Sequence, residues 1–129
     1  MFIWGGVNRL NKLNDCMSYN QNSKEWTTIV SQGSTEPNPR QGVCMVGYER
    51  NLFLIGGLTD NTFVNEVWKF DLGTYQYTLL DTGGIDAPPP GANYNCVYRD
   101  NKLIVLNGES FGTTPVSSIH EFDLKTHRW

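Results

Sequence analysis

One short pattern is written three times along these 129 residues, and it constrains the fold more than anything else in the chain. Gly5-Gly6 recurs as Gly56-Gly57 and again as Asn107-Gly108, a step of 51 each time. Each pair follows an apolar run: Phe2-Ile3-Trp4, then Leu52-Phe53-Leu54-Ile55, then Leu103-Ile104-Val105-Leu106. A second landmark travels with it. Tyr19-Asn20, Phe70-Asp71 and Phe122-Asp123 are followed at a fixed interval by Trp26, Tyr77 and Trp129. A third, Leu13-Asn14, Val64-Asn65 and Val116-Ser117, lies between the other two.

Each unit reads as four short strands. Strand one covers 42–48 in the second unit and 94–98 in the third. The apolar run is strand two, closed by the glycine pair. Loops at 7–12, 58–63 and 109–115 lead to strand three at 14–19, 65–70 and 117–122. Turns at 20–25, 71–76 and 123–128 lead to a strand four that opens with the aromatic. Consecutive apolar residues in strand two require both sheet faces to be covered, as happens when sheets stack side by side. The glycines permit torsions that a Cβ forbids. Asn20, Asp71 and Asp123 suit tight turns in which a short polar side chain bonds the backbone two residues on. Trp26, Tyr77 and Trp129 are expected to wedge between units.

A di-glycine after an apolar strand, an aromatic-Asp pair and a Trp six residues later, at about 50-residue spacing, resemble the kelch repeat. The resemblance covers the whole chain and implies an all-β fold of four-stranded antiparallel kelch-type β-propeller blades. The expected units are a partial blade at 1–38, a blade at 39–89, and a blade at 90–129 truncated in strand four. Kelch-like propellers close with five to seven blades, so the chain reads as an incomplete propeller or a fragment of one. The remaining blades of a longer chain, or self-association, would complete it. Three departures are visible: Asn107 stands for the first glycine, Tyr77 for Trp, and the Arg expected before strand one is present as Arg40 but missing near Pro90-Gly91-Ala92.

The resemblance also implies a function. In kelch propellers the loops joining strands two and three, with those joining blade to blade, commonly share the partner-binding face. That gives Asn8, Arg9, Asn11 and Lys12 from the first unit, Asp60, Asn61 and Phe63 from the second, and Glu109, Ser110 and Phe111 from the third. The inter-blade loops add Glu36, Asn38, Arg40 and Asp86. Arg9 and Arg40 are the residues best suited to take an acidic side chain bidentately, and Phe63 and Phe111 are candidate anchors. The expected role is a protein-protein interaction module, as substrate adaptor or scaffold, with a protein or peptide partner. The alternative is a non-catalytic propeller segment of a larger enzyme, such as a kelch-linked phosphatase or a kelch-like oxidase.

Catalysis finds little support in the residues. A copper site needs several converging imidazole or tyrosinate ligands, and the chain has two histidines, His120 and His127. The glycine pairs lack phosphate-loop spacing, and carboxylates such as Glu66 and Asp15 are expected at solvent-facing strand edges. No metal or cofactor is expected. A formal charge of −3 without a basic stripe speaks against nucleic acid. The apolar runs are too short to cross a bilayer, so no membrane partner is expected. Cys44 and Cys96 lie 52 residues apart, one repeat period, and are expected at matching places as small buried side chains rather than a disulfide. A reducing, cytoplasmic setting follows from that reading.

Overall fold

A computed structural model describes residues 1–111, 115 and 117–129. The described residues are all-β, in a meander of antiparallel sheets. Sheet I runs β1 (Phe2–Val7), β2 (Lys12–Asn20) and β3 (Glu25–Ile29). Sheet II runs β4 (Cys44–Tyr48), β5 (Asn51–Leu58), β6 (Phe63–Asp71) and β7 (Gln76–Asp81). Sheet III is built from β9 (Asn95–Arg99), β10 (Lys102–Leu106) and β12 (Ile119–Asp123), with β10 central. Two further short strands, β8 (Gly91–Ala92) and β11 (Glu109–Ser110), pair beside it. Of the third landmark, Ser117 precedes β12, whereas Val116 lies outside the described residues.

The turns between strands three and four form as the sequence predicts. Asn20 Oδ1 accepts from the amides of Asn22 and Ser23. Asp71 Oδ1 accepts from Gly73 and Thr74 at 2.7 and 3.1 Å, and Asp123 Oδ1 from Lys125 and Thr126 at 2.7 and 3.0 Å. These amides hold both carboxyls below the usual range, because they favour the charged form. His127 owes its place to this turn: with Lys24 and Tyr75 it holds the left-handed residue that closes each one.

The glycine pairs do not end strand two. In sheets I and II the strand continues one residue beyond them, through a register shift at Gly5-Gly6 and at Gly56-Gly57 where both φ angles are positive. This is a bulge inside a strand, and close approach explains it. A Cβ on Gly5 would stand 2.8 Å from the Arg40 carbonyl oxygen, and one on Gly56 would stand 2.7 Å from that of Gly91. The chain segment entering each next sheet therefore lies directly against the bulge of the one before. Asn107 takes the same left-handed torsion, with φ 56°, which an Asn tolerates. The third landmark pins those connecting segments: Asn14 Nδ2 donates to the Pro37 carbonyl and Asn65 Nδ2 to that of Pro88.

Sheets I and II meet through Phe2, Trp4, Cys16 and Ile29 against Leu52, Leu54, Trp68, Phe70 and Tyr77. Sheets II and III meet through Cys44, Val46, Phe53, Ile55 and Val67 against Tyr94, Leu103, Val105 and Phe122. Sheet II thus gives one face to its predecessor and the other to its successor. The strand-four aromatics follow this rule. Tyr77 is 8 % exposed and accepts a hydrogen bond from Trp4 Nε1 at 2.9 Å, while Trp129 packs edge-on to Phe122 and donates to Asp81 Oδ2. Trp26, on the face of sheet I that meets no other sheet here, is 45 % exposed.

The cysteine expectation is corrected. Cys44 and Cys96 are joined in a disulfide across the II–III seam, with Cα atoms 6.2 Å apart. They do not occupy matching positions. Counted from the hairpins, Tyr48 pairs Asn51 and Arg99 pairs Lys102, so β9 follows β4 by 51 and Cys96 matches Met45. One residue of offset turns a strand side chain to the opposite face. Cys44, opposite Ile55, therefore points toward sheet III, and Cys96, opposite Val105, points back toward sheet II. The same crossing stacks Tyr48 on Tyr98, ring centroids 3.7 Å apart.

Candidate loop-face site

The expected binding loops lie where strand two gives way to strand three, and their first task is to hold themselves. Asn8 Oδ1 accepts from the amides of Leu10 and Asn11 at 2.9 and 2.7 Å. Thr59 Oγ1 closes the second loop in the same way, accepting from Asn61 and Thr62. Asn8 is thus a turn-forming residue, and Leu10, at 89 % exposure, stands at the loop tip where sequence reading marked only polar residues. Arg9, Asn11 and Asn61 are exposed.

The two basic groups beside them differ in fate. Lys12 is nearly buried; its Nζ donates to the Thr59 carbonyl and pairs with Asp60 at 3.7 Å, tying the first loop to the second. Arg40 corrects the sequence reading outright. It is 2 % exposed. Its Nη2 lies 2.8 Å from Glu66 Oε2, Nε donates to the Asn38 carbonyl at 2.9 Å, and Nη1 donates to that of Gly56. A buried guanidinium with a carboxylate and two carbonyls around it fastens the connecting segment to β5 and is not available to a partner. Glu66, expected at a solvent-facing edge, is the counter-ion and also accepts from Trp68 Nε1 at 2.8 Å. In sheet III the position matching Arg40 is Gly91, and that matching Glu66, allowing one residue inserted in the loop before β12, is Ser118. The pair is missing there as a unit, and Ser118 Oγ bonds His120 Nε2 at 2.7 Å instead. His120 Nδ1 meets the Asp86 carbonyl at 3.0 Å, so this imidazole clamps a loop.

The aromatic candidates come together. Phe63 and Phe111, distant in sequence, meet edge to face with centroids 5.0 Å apart, and Phe111 remains 64 % exposed. Ser110 Oγ donates to the Pro90 carbonyl, and Glu109 is exposed in the short strand that pairs with Ala92. Beside them the strand-two ends of sheets I and II, with the short β8–β11 pair, line a cavity of about 260 Å³ over Gly6, Gly42 and Ala92, walled by Val7, Leu58, Phe63, Gln41, Asn93 and Glu109. Sequence reading missed Val7, Gln41, Leu58 and Asn93, since nothing along the chain signals that these positions converge. Among the described residues, no three His, Cys, Asp or Glu side chains gather as a metal site would require, and no helix is long and apolar enough to cross a membrane.

Comparison with known proteins agrees with this architecture. A family model described as the KLHDC2/KLHL20/DRC7 kelch-repeats domain matches residues 1–129. The leucine-zipper-like transcriptional regulator 1 homolog of Drosophila melanogaster is 28 % identical over 137 aligned residues, covering 100 % of this chain and 14 % of that protein. Kelch repeat-containing protein 2 of Saccharomyces cerevisiae is 32 % identical, covering 84 % of this chain and 14 % of its own length. Human Kelch domain-containing protein 10 is 24 % identical, with 90 % and 27 % covered. The chain therefore spans about a seventh to a quarter of these relatives.

Proposed function

The chain belongs to the kelch-repeat family, and on that premise we propose that it is a protein-interaction module of substrate-adaptor or scaffold type that engages a peptide or protein through the loop face. The observation that carries this reading is the pairing of half-buried Phe63 with exposed Phe111 beside a cavity that sheets I and II share with the β8–β11 pair. Large aromatics held by each other, rather than sunk in the core, are the usual anchors of an interface. Asn61, Arg9 and Asn11, exposed on the first two loops of this face, are proposed as its polar rim. No catalytic role is proposed, because His120 and His127 both serve the fold.

The blades are taken as 1–38, 39–89 and 90–129. Exposed apolar side chains on the outward faces of sheets I and III, Trp26 and Ile3 on one and Val97 and Ile119 on the other, support coverage by further blades, whether from a longer chain or from a second copy. The cytoplasmic setting expected from the sequence loses its cysteine argument, because two of the three thiols are bonded.

A photo-crosslinking amino acid at position 111, compared with one at Thr74 on the far turns, tests the site. Partner capture is expected from position 111 alone, with affinity falling tenfold or more in Phe63→Ala, as for an interface anchor. Capture from position 74, or an unchanged affinity in Phe63→Ala, would overturn the reading.

A further inference from the structure

The cavity beside Phe63 has a chemical polarity of its own. Among the described residues, Glu109 is the one charged residue in its lining. Two cations of the adjoining segments are already engaged: Lys12 by Asp60 and the Thr59 carbonyl, Arg40 by Glu66 and two carbonyls. Arg9 lies outside the lining. Glu109 thus brings a carboxylate, in no ion pair among the described residues, to a small chamber whose other side chains are apolar or amides.

We infer that this cavity receives an arginine or lysine side chain projecting from the partner's bound segment. The inference rests on the loop-face reading above and specifies the chemistry of its ligand. Four features fit such a side chain together. Val7 and Leu58 offer apolar surface to an aliphatic stem, which buries readily while its charged head stays at a polar mouth. Phe63, held edge-on by Phe111, offers a ring to the cation. Gln41 and Asn93 each carry an amide oxygen that can accept from a guanidinium or ammonium. Glu109 supplies the counter-charge. At about 260 Å³ the chamber falls below the roughly 300–1,000 Å³ common for small-molecule sites, so a single side chain suits it better than a metabolite. An acidic side chain would meet Glu109 with no counter-ion, and a purely apolar one would cover that carboxylate without pairing it.

Amide-resolved NMR of the 129-residue chain, titrated with acetyl-arginine-N-methylamide, tests this directly. The glutamate and norleucine analogues serve as comparators at equal ionic strength. The arginine compound is expected to shift the backbone amides of Gly6, Gly42 and Glu109 and the side-chain amides of Gln41 and Asn93. It should bind about fivefold more tightly than either comparator, the scale of a rim ion pair. Glu109→Gln should remove that advantage and leave the thermal melt unchanged, since among the described residues Glu109 contributes only backbone pairing. Equal or tighter binding of the glutamate compound, shifts confined elsewhere, or an unaltered preference in Glu109→Gln would overturn the inference. Crosslinking from position 111 that persists in that case would leave the loop-face reading standing and remove only its ligand chemistry.

Discussion

Breaking the Cys44–Cys96 bond is the perturbation whose cost follows most directly from the architecture. The bond closes a loop across 52 residues of sequence separation. In the chain-entropy treatment a closed loop of that length loses about 14 cal/mol/K of unfolded-state entropy, or about 4 kcal/mol at 25 °C. The native seam adds little against this, because the apolar contacts around the sulfurs persist when the bond is cut. Reduction should therefore lower stability by about 4 kcal/mol, on the order of 10–20 °C in melting temperature for a chain of this size. Urea unfolding of the same protein, oxidised and reduced, measures it without changing the sequence. Thiol counting supplies the control. Unreduced native protein should show no reactive thiol, since Cys16 is buried and burial pushes its thiol up to about 11. Unfolding should then expose one thiol, and reduction three. Three thiols in unfolded, unreduced protein would refute the seam bond. A bonded protein whose midpoint ignores reductant would refute the loop-closure reasoning.

Arg40→Ala should cost about 3 kcal/mol in chemical denaturation, the low end for a broken buried pair because Glu66 keeps 26 % side-chain exposure; loss of partner binding at unchanged stability would contradict the anchoring role. Gly56→Ala should destabilise by at least about 2 kcal/mol, from a left-handed torsion plus the contact with the Gly91 carbonyl. Gly84→Ala, with open space around its Cβ and no left-handed torsion, should cost clearly less in the same melts. The carboxyls of Asp71 and Asp123 are depressed below 3.8 in the folded chain, so their contribution is complete above that value and lost as pH falls through the lower folded one. Asp71→Asn with Asp123→Asn, which copies the neutral Asn20 turn, should flatten the acid limb of the stability profile below about pH 4.

The repeat, the hairpin turns and the inter-sheet placement of Tyr77 and Trp129 were legible because each depends on residues close in sequence or on the period itself. Side-chain partnerships across the period were not. Arg40 looks like a surface cation until Glu66, 26 positions on, is brought over it by the β5–β6 hairpin. Lys12 likewise meets Asp60 only once two loops stand side by side. The glycine pairs read as strand ends, since composition alone does not separate a bulge from a stop. The cysteines were misplaced because the landmarks recur at both 51 and 52, and a single position decides which side of a strand a sulfur occupies.

That single position carries a consequence for how such an array can arise. Two sheets copied from one template present different sides to each other across their shared boundary, so a residue and its own duplicate cannot clasp hands there. A covalent or stacked link between neighbours has to join unlike positions, as Cys44 does with Cys96 and Tyr48 with Tyr98. Gene duplication would therefore not propagate this link. It marks one boundary of the series as individual, and it couples these two units covalently in this order.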